Sequence, residues 1–146
     1  MTVQRLEHIG VVVDDLAAAK AFFVALGLEV EGETSVEGPL VDRINGLDGV
    51  RADVVILRTP DAGSKLELAK YRSPAYEGDD GPAPPNAPGI RHVLFVVDDI
   101  EESLAGVQEH GGELVGELVN YENVYWLCYL RGPAGIIVEL AEKISR

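Results

Sequence analysis

One pattern is written twice in this chain. His8-Ile-Gly-Val-Val-Val-Asp-Asp-Leu16 returns as His92-Val-Leu-Phe-Val-Val-Asp-Asp-Ile100, and Leu66-Glu-Leu-Ala69 returns as Val138-Glu-Leu-Ala141. From His8 to Glu33 the copies stand 84 residues apart, pairing Gly27 with Gly111 and Glu33 with Glu117. From Gly63 onward the offset is 72, so the first copy carries twelve extra residues, most economically placed between Glu37 and Ala52. Internal self-similarity decides architecture before any local signal does. Two copies are too few for a solenoid and point to a pseudo-twofold single domain over residues 1–146.

Each copy carries the same order of local signals. Residues 3–13 are rich in valine and isoleucine and read as a strand. Asp14 or Asp15 can accept the free amides that open a helix, and Leu16–Leu26 has helical composition, closed by Gly27. The second copy repeats this with Asp98/Asp99, a helix over about Ile100–His110, and Gly111. Three strands follow each helix, at about 28–36, 53–59 and 65–71, then 113–120, 124–131 and 136–142. Gly132-Pro-Ala-Gly135 supplies the last hairpin turn. The expected fold is therefore α+β: two tandem βαβββ modules, about 1–72 and 90–146, forming a cupped eight-stranded sheet. Residues 73–89 hold five of the eight prolines and read as an irregular connector. A half of this size is marginal as an independent core, so the copies are expected to pack together.

Composition excludes several classes of function. Lys+Arg total 12 against 25 Asp+Glu, a formal charge of −13, which repels nucleic acid and anionic membrane surfaces. No apolar stretch is long enough to span a bilayer, and the start of the chain lacks a signal-like pattern. The single cysteine, Cys128, has no internal disulfide partner, which fits a cytoplasmic protein.

Strand alternation tests whether the repeated polar residues can converge. Glu67 lies opposite Leu66 and Leu68, and Glu139 opposite Val138 and Leu140. His8 and His92 lie opposite the Ile9/Val11/Val13 and Val93/Phe95/Val97 rows. Those apolar rows are expected to pack on the helices, leaving the ligand-bearing faces as the inside of a curved sheet. A lone histidine or glutamate in a strand is usually structural. Two carboxylates on an apolar face, however, need a cation or a shared proton. Two imidazoles with two carboxylates suit one borderline divalent ion: Zn, Ni, Co, Mn or Fe(II). Four protein donors in an octahedral site leave two positions for a substrate with adjacent oxygens. No further cofactor is indicated.

Among the other residues, Tyr121, Tyr125 and Trp126 are core-forming types that could also line the cup. Arg51, Arg58, Arg91 and Arg131 are solvated surface or anion anchors, and Asp14/Asp15 and Asp98/Asp99 are helix caps. The expanded segment, about 37–52, contains Pro39-Leu-Val-Asp-Arg-Ile-Asn-Gly46, a short helical flap over the cavity or an oligomer contact.

The duplicated unit and the His8/Glu67/His92/Glu139 set resemble the vicinal oxygen chelate superfamily over essentially the whole chain. That group includes glyoxalase I, methylmalonyl-CoA epimerase, extradiol dioxygenases, fosfomycin-resistance proteins and bleomycin-binding proteins. Bacterial glyoxalase I has the same four residue types in the same order. The resemblance implies that His8, Glu67, His92 and Glu139 hold the metal. It also implies that Glu67 and Glu139 act as base and return acid in an isomerase or lyase passing through a chelated enediolate. Methylmalonyl-CoA epimerase commonly has glutamine where Glu67 stands, and its opening strand is similar, so acyl-thioester epimerisation is the alternative reading. A ring-cleavage dioxygenase or a non-catalytic small-molecule or antibiotic binder is the next. A second carboxylate fills a position dioxygenases leave open. The histidine left over for their extra catalytic role, His110, sits beside Gly111 as a helix-end residue. The closing turn Gly132-Pro-Ala-Gly135 and the expanded segment depart from the glyoxalase I pattern and put a glutathione adduct in question. The implied partners are a small-molecule substrate and a second copy in a homodimer, with no nucleic acid and no membrane.

Overall fold

The computed structural model describes residues 1–79 and 81–144. It divides into two compact units, residues 1–79 and 80–146. The first unit runs β1 (Ile9–Val12), α1 (Leu16–Leu26), β2 (Glu29–Glu37), α2 (Pro39–Asn45), β3 (Arg51–Arg58) and β4 (Lys65–Ser73). The second runs β5 (His92–Val96), α3 (Ile100–Gln108), β6 (Glu113–Leu114), β7 (Val119–Tyr121), β8 (Tyr125–Arg131), a 3-10 turn at Pro133–Gly135 and β9 (Ile137–Lys143).

Both units have one topology. The sheets run β1-β4-β3-β2 and β5-β9-β8-β6, with β7 also on β8. In each, the first strand lies parallel to the last and the remaining neighbours are antiparallel. The mixed α+β class and the strand–helix–strands order of each module stand as expected from the repeat. Among the described residues there are two sheets of four and five strands. The extra strand arises because the expected 113–120 segment breaks at Val115–Leu118 into β6 and β7. The first strand is also shorter than 3–13, because residues before Ile9 have no ladder partner in β4.

The helices form where local chemistry requires. Asp15 accepts the Ala18 N–H at 3.0 Å to open α1, and Gly27, at φ 118°, returns its N–H to the carbonyls of Phe23 and Val24. Helix α1 buries Ala19, Phe22 and Phe23 against Val55, Leu57, Leu66 and Leu68 of its sheet. In the second unit Asp99 accepts from Glu102 N–H at 3.0 Å. The Glu142 carboxylate of β9 accepts the Ile100 N–H at 2.7 Å, a second cap supplied from across the sheet. Ile100, Leu104 and Val107 then pack with Cys128, Leu130, Val138 and Leu140.

Each sheet is thus covered by its helix on one face. The buried residues Leu66, Leu68, Val138 and Leu140 alternate with the half-buried Glu67 and Glu139. No helix among the described residues is long and apolar enough to cross a membrane.

Candidate metal-binding half-sites

Register places the two glutamates. In β1 and β4, Gly10 stands beside Glu67; in β5 and β9, Leu94 stands beside Glu139. His8 and His92 lie two residues before those positions and share their faces. Both glutamates face away from the helices, on strand faces whose other residues include Val12 at 59 %, Leu94 at 48 % and Val96 at 69 % exposure.

In the first unit His8 Nε2 comes within 3.4 Å of Glu67 Oε2. In the second, His92 Nε2 comes within 3.3 Å of Glu139 Oε1. All four groups are accessible, with side-chain exposures of 40 % for each histidine, 34 % for Glu67 and 16 % for Glu139. Each pair presents one imidazole nitrogen and one carboxylate oxygen, a fitting half of a borderline divalent coordination set. Among the described residues no group of three or more His, Cys, Asp or Glu side chains is gathered closely enough to hold a metal ion by itself. The structure brings the four sequence-derived residues together as two pairs.

Two residues at these pairs are not predicted by the sequence pattern. The Glu7 carboxylate contacts His8 Nδ1 and also reaches Lys65 Nζ at 3.3 Å. Lys65 is held in turn by Glu31 at 3.1 Å. Glu31 is the extra residue of a bulge between Val30 and Gly32, which is how β2 delivers a carboxylate there. The hydrogen bond with His8, then that with Lys65, holds the Glu7 carboxyl below the usual carboxylate range. Glu31 and then Glu7 raise Lys65. In the second unit Tyr129 stands directly across from Glu139 in β8. Its hydroxyl lies 3.4 Å from His92 Nδ1, and its ring packs on the imidazole with centroids 5.1 Å apart. Both residues sit where the two copies differ, so a search for agreement between the copies passes over them.

Asp15 and Asp99 are the helix caps, with no capping bond to Asp14 or Asp98 in either helix. Tyr121 and Tyr125 pair in register and share Glu139's face by alternation, whereas Trp126 pairs with Glu142 on the helix-covered side. Arg51 and Arg58 are matched by Glu37 and Glu29, each at 3.2 Å, and Arg131 donates to the Gly135 carbonyl at 2.8 Å. The expanded segment does form a helix, α2. Tyr71, on Glu67's side of β4, donates to Asn45 Oδ1 at 2.7 Å and ties that helix to the open face of the first sheet. The Asp42 carboxylate accepts from Gly49 and Val50 N–H at 3.0 and 2.8 Å and fixes the return loop. A shallow recess of about 290 Å³ between Glu37, Pro39, Asp42 and Arg51 contains none of the four donors.

Known proteins share this architecture. The profile of the Glyoxalase/Bleomycin resistance protein/Dioxygenase superfamily matches residues 5–140. The chain is similar to a glyoxalase family protein from Bacillus cereus, at 40% identity and a TM-score of 0.94, covering 99% of this chain and 97% of that one. It is also similar to the Escherichia coli (strain K12) protein YaeR, 25% identical over 96% of this chain and 97% of that protein. The fosfomycin resistance protein FosX from Listeria monocytogenes shares the fold at 15% identity, with a TM-score of 0.61 over 99% of this chain and 96% of that one.

Proposed function

We infer function from one premise: this chain belongs to the Glyoxalase/Bleomycin resistance protein/Dioxygenase superfamily. We propose that it is a divalent-metal-dependent isomerase or lyase, similar to glyoxalase I, acting on a small substrate with two neighbouring oxygens. The observation that carries this reading is the matched approach of imidazole Nε2 and carboxylate oxygen, 3.4 Å in one unit and 3.3 Å in the other, at repeat-related positions. His8, Glu67, His92 and Glu139 would be the ligands, completed within one domain of two modules or with a second copy in a homodimer.

The bound ion would supply Lewis acidity to a substrate carbonyl. The chain's own residues do the rest. One of Glu67 and Glu139 takes the proton from the carbon beside that carbonyl, and the other returns a proton to the neighbouring carbon. His8 and His92 orient the site and do not transfer protons. The apolar residues Val12, Leu94 and Val96 keep water from the substrate carbon when the face is occupied. The lone cysteine and the acidic surface accord with a cytoplasmic setting and with a small-molecule partner in place of nucleic acid or membrane.

The test is incubation of metal-loaded protein in deuterated water with an α-oxoaldehyde plus thiols, and separately with methylmalonyl-CoA. Isomerised product from the first mixture supports the proposal. Deuterium entering only the acyl-thioester moves the function to epimerisation, a reading supported by the resemblance of the His8–Leu16 segment. Turnover or exchange that persists at full rate after complete metal removal overturns both.

A further inference from the structure

The two copies differ in one respect that bears on how they would bind an ion. In copy one, Glu7 precedes His8; the residue 84 positions on, before His92, is Arg91. In copy one, the residue across the ladder from Glu67 is Ile56; in copy two, the residue across from Glu139 is Tyr129. The changes are complementary. Where the carboxylate beside the histidine is lost to a cation, a phenol appears at the facing strand position and takes the same ring nitrogen. Arg91 cannot substitute for Glu7, because a guanidinium only donates; among the described residues its buried Nε has no hydrogen-bond partner.

We infer that Glu7 and Tyr129 are positioning residues for the two histidines, and that they leave the histidines unequal. This rests on the metal-binding reading above. Both groups engage Nδ1, and in both pairs Nε2 is the nitrogen turned to the glutamate. A carboxylate oxygen can only accept, and the Glu7 carboxylate contacts His8 Nδ1 while Nε2 faces Glu67. It therefore fixes neutral His8 with its proton on Nδ1 and a free lone pair on Nε2, the tautomer a metal needs. A phenol both donates and accepts, so Tyr129 orients His92 by its hydroxyl and ring contact without dictating where the proton sits. His8 is the pre-set, stronger donor. His92 would serve as a ligand through Nε2 only in the tautomer with its proton on Nδ1.

Ring-nitrogen NMR of selectively labelled histidines, in alkaline buffer and without metal, reads the tautomers directly. We expect His8 as one species protonated on Nδ1 and His92 as a mixture. Glu7→Gln, an exposed change that spares the fold, should give His8 both tautomers and weaken Co(II) or Zn(II) affinity by roughly 10- to 100-fold. Tyr129→Phe keeps the ring and removes the hydroxyl, and its loss of affinity should be the smaller. The inference is overturned if wild-type His8 is itself a mixture, if Glu7→Gln leaves tautomer and affinity unchanged, or if Tyr129→Phe has the larger effect. Wild-type protein that binds neither ion refutes the metal-binding reading, whereas the tautomer spectra still decide the role of Glu7.

Discussion

Glu139 is the less exposed of the two candidate proton-transfer groups, 16 % against 34 % for Glu67, and it lies beside the aromatic ring packed on His92. Replacing Glu139 with Gln keeps the shape and removes a carboxylate that the proposed function uses to take or return a proton. Proton exchange at the substrate carbon should fall by at least about 100-fold, the scale of general-base catalysis, while the melting temperature stays close to wild type. Exchange at the wild-type rate would remove Glu139 from the mechanism. Caps are simpler: Asp15→Ala deletes the bond to Ala18 N–H and should cost about 1 kcal/mol in denaturant unfolding. At this scale the nearness of His8 to Glu67 and of His92 to Glu139 was legible, because the repeat sets the same two residue types at matching strand positions. Glu7 and Tyr129 were not. One falls by alternation on the side opposite His8 in the expected strand 3–13, whereas β1 begins only at Ile9. The other required the β8–β9 register, which no short-range pattern specifies. Cys128 is 3 % exposed, and burial pushes its thiol up. It should resist alkylation in the native state and react once the protein unfolds. The sign is that of an acid kept protonated by folding: the contribution is complete below the unfolded thiol's pKa and is lost as pH climbs toward the raised folded value.

Elements were legible in proportion to how sharply their ends are marked. Helix α1 runs from Leu16 to Leu26 as expected, because Asp15 and Gly27 each supply a specific terminal hydrogen bond. Helix α3 stops at Gln108, short of His110, since the chain turns before the Gly111 that was expected to close it. Strand β1 lost its first residues because valine content marks strand propensity and says nothing of whether a partner exists. The same limit concealed the break between β6 and β7. The last hairpin carries a sharp structural demand: Gly135 has φ 73°, and an added Cβ would lie 2.8 Å from that of Pro82. Gly135→Ala should therefore destabilise by about 1–3 kcal/mol, read as a lower denaturation midpoint. Leu68 is fully buried between α1 and the sheet, so Leu68→Ala should cost about 2–5 kcal/mol.

For the molecule as a whole, duplication explains more than any single residue. Two units with the same strand order each deliver one imidazole and one carboxylate to a helix-free face. Neither pair satisfies a divalent ion by itself, and no larger cluster forms among the described residues. Under the proposed function one ion would take a histidine and a glutamate of each repeat as ligands, and the excess of acidic residues attracts cations. The decisive measurement is metal stoichiometry by calorimetric titration of Co(II) or Zn(II) into metal-free protein. We predict one tight ion for each complete set of His8, Glu67, His92 and Glu139, lost alike in His8→Ala and His92→Ala. Two independent ions per chain, each abolished by one substitution only, or no tight binding at all, would contradict the account.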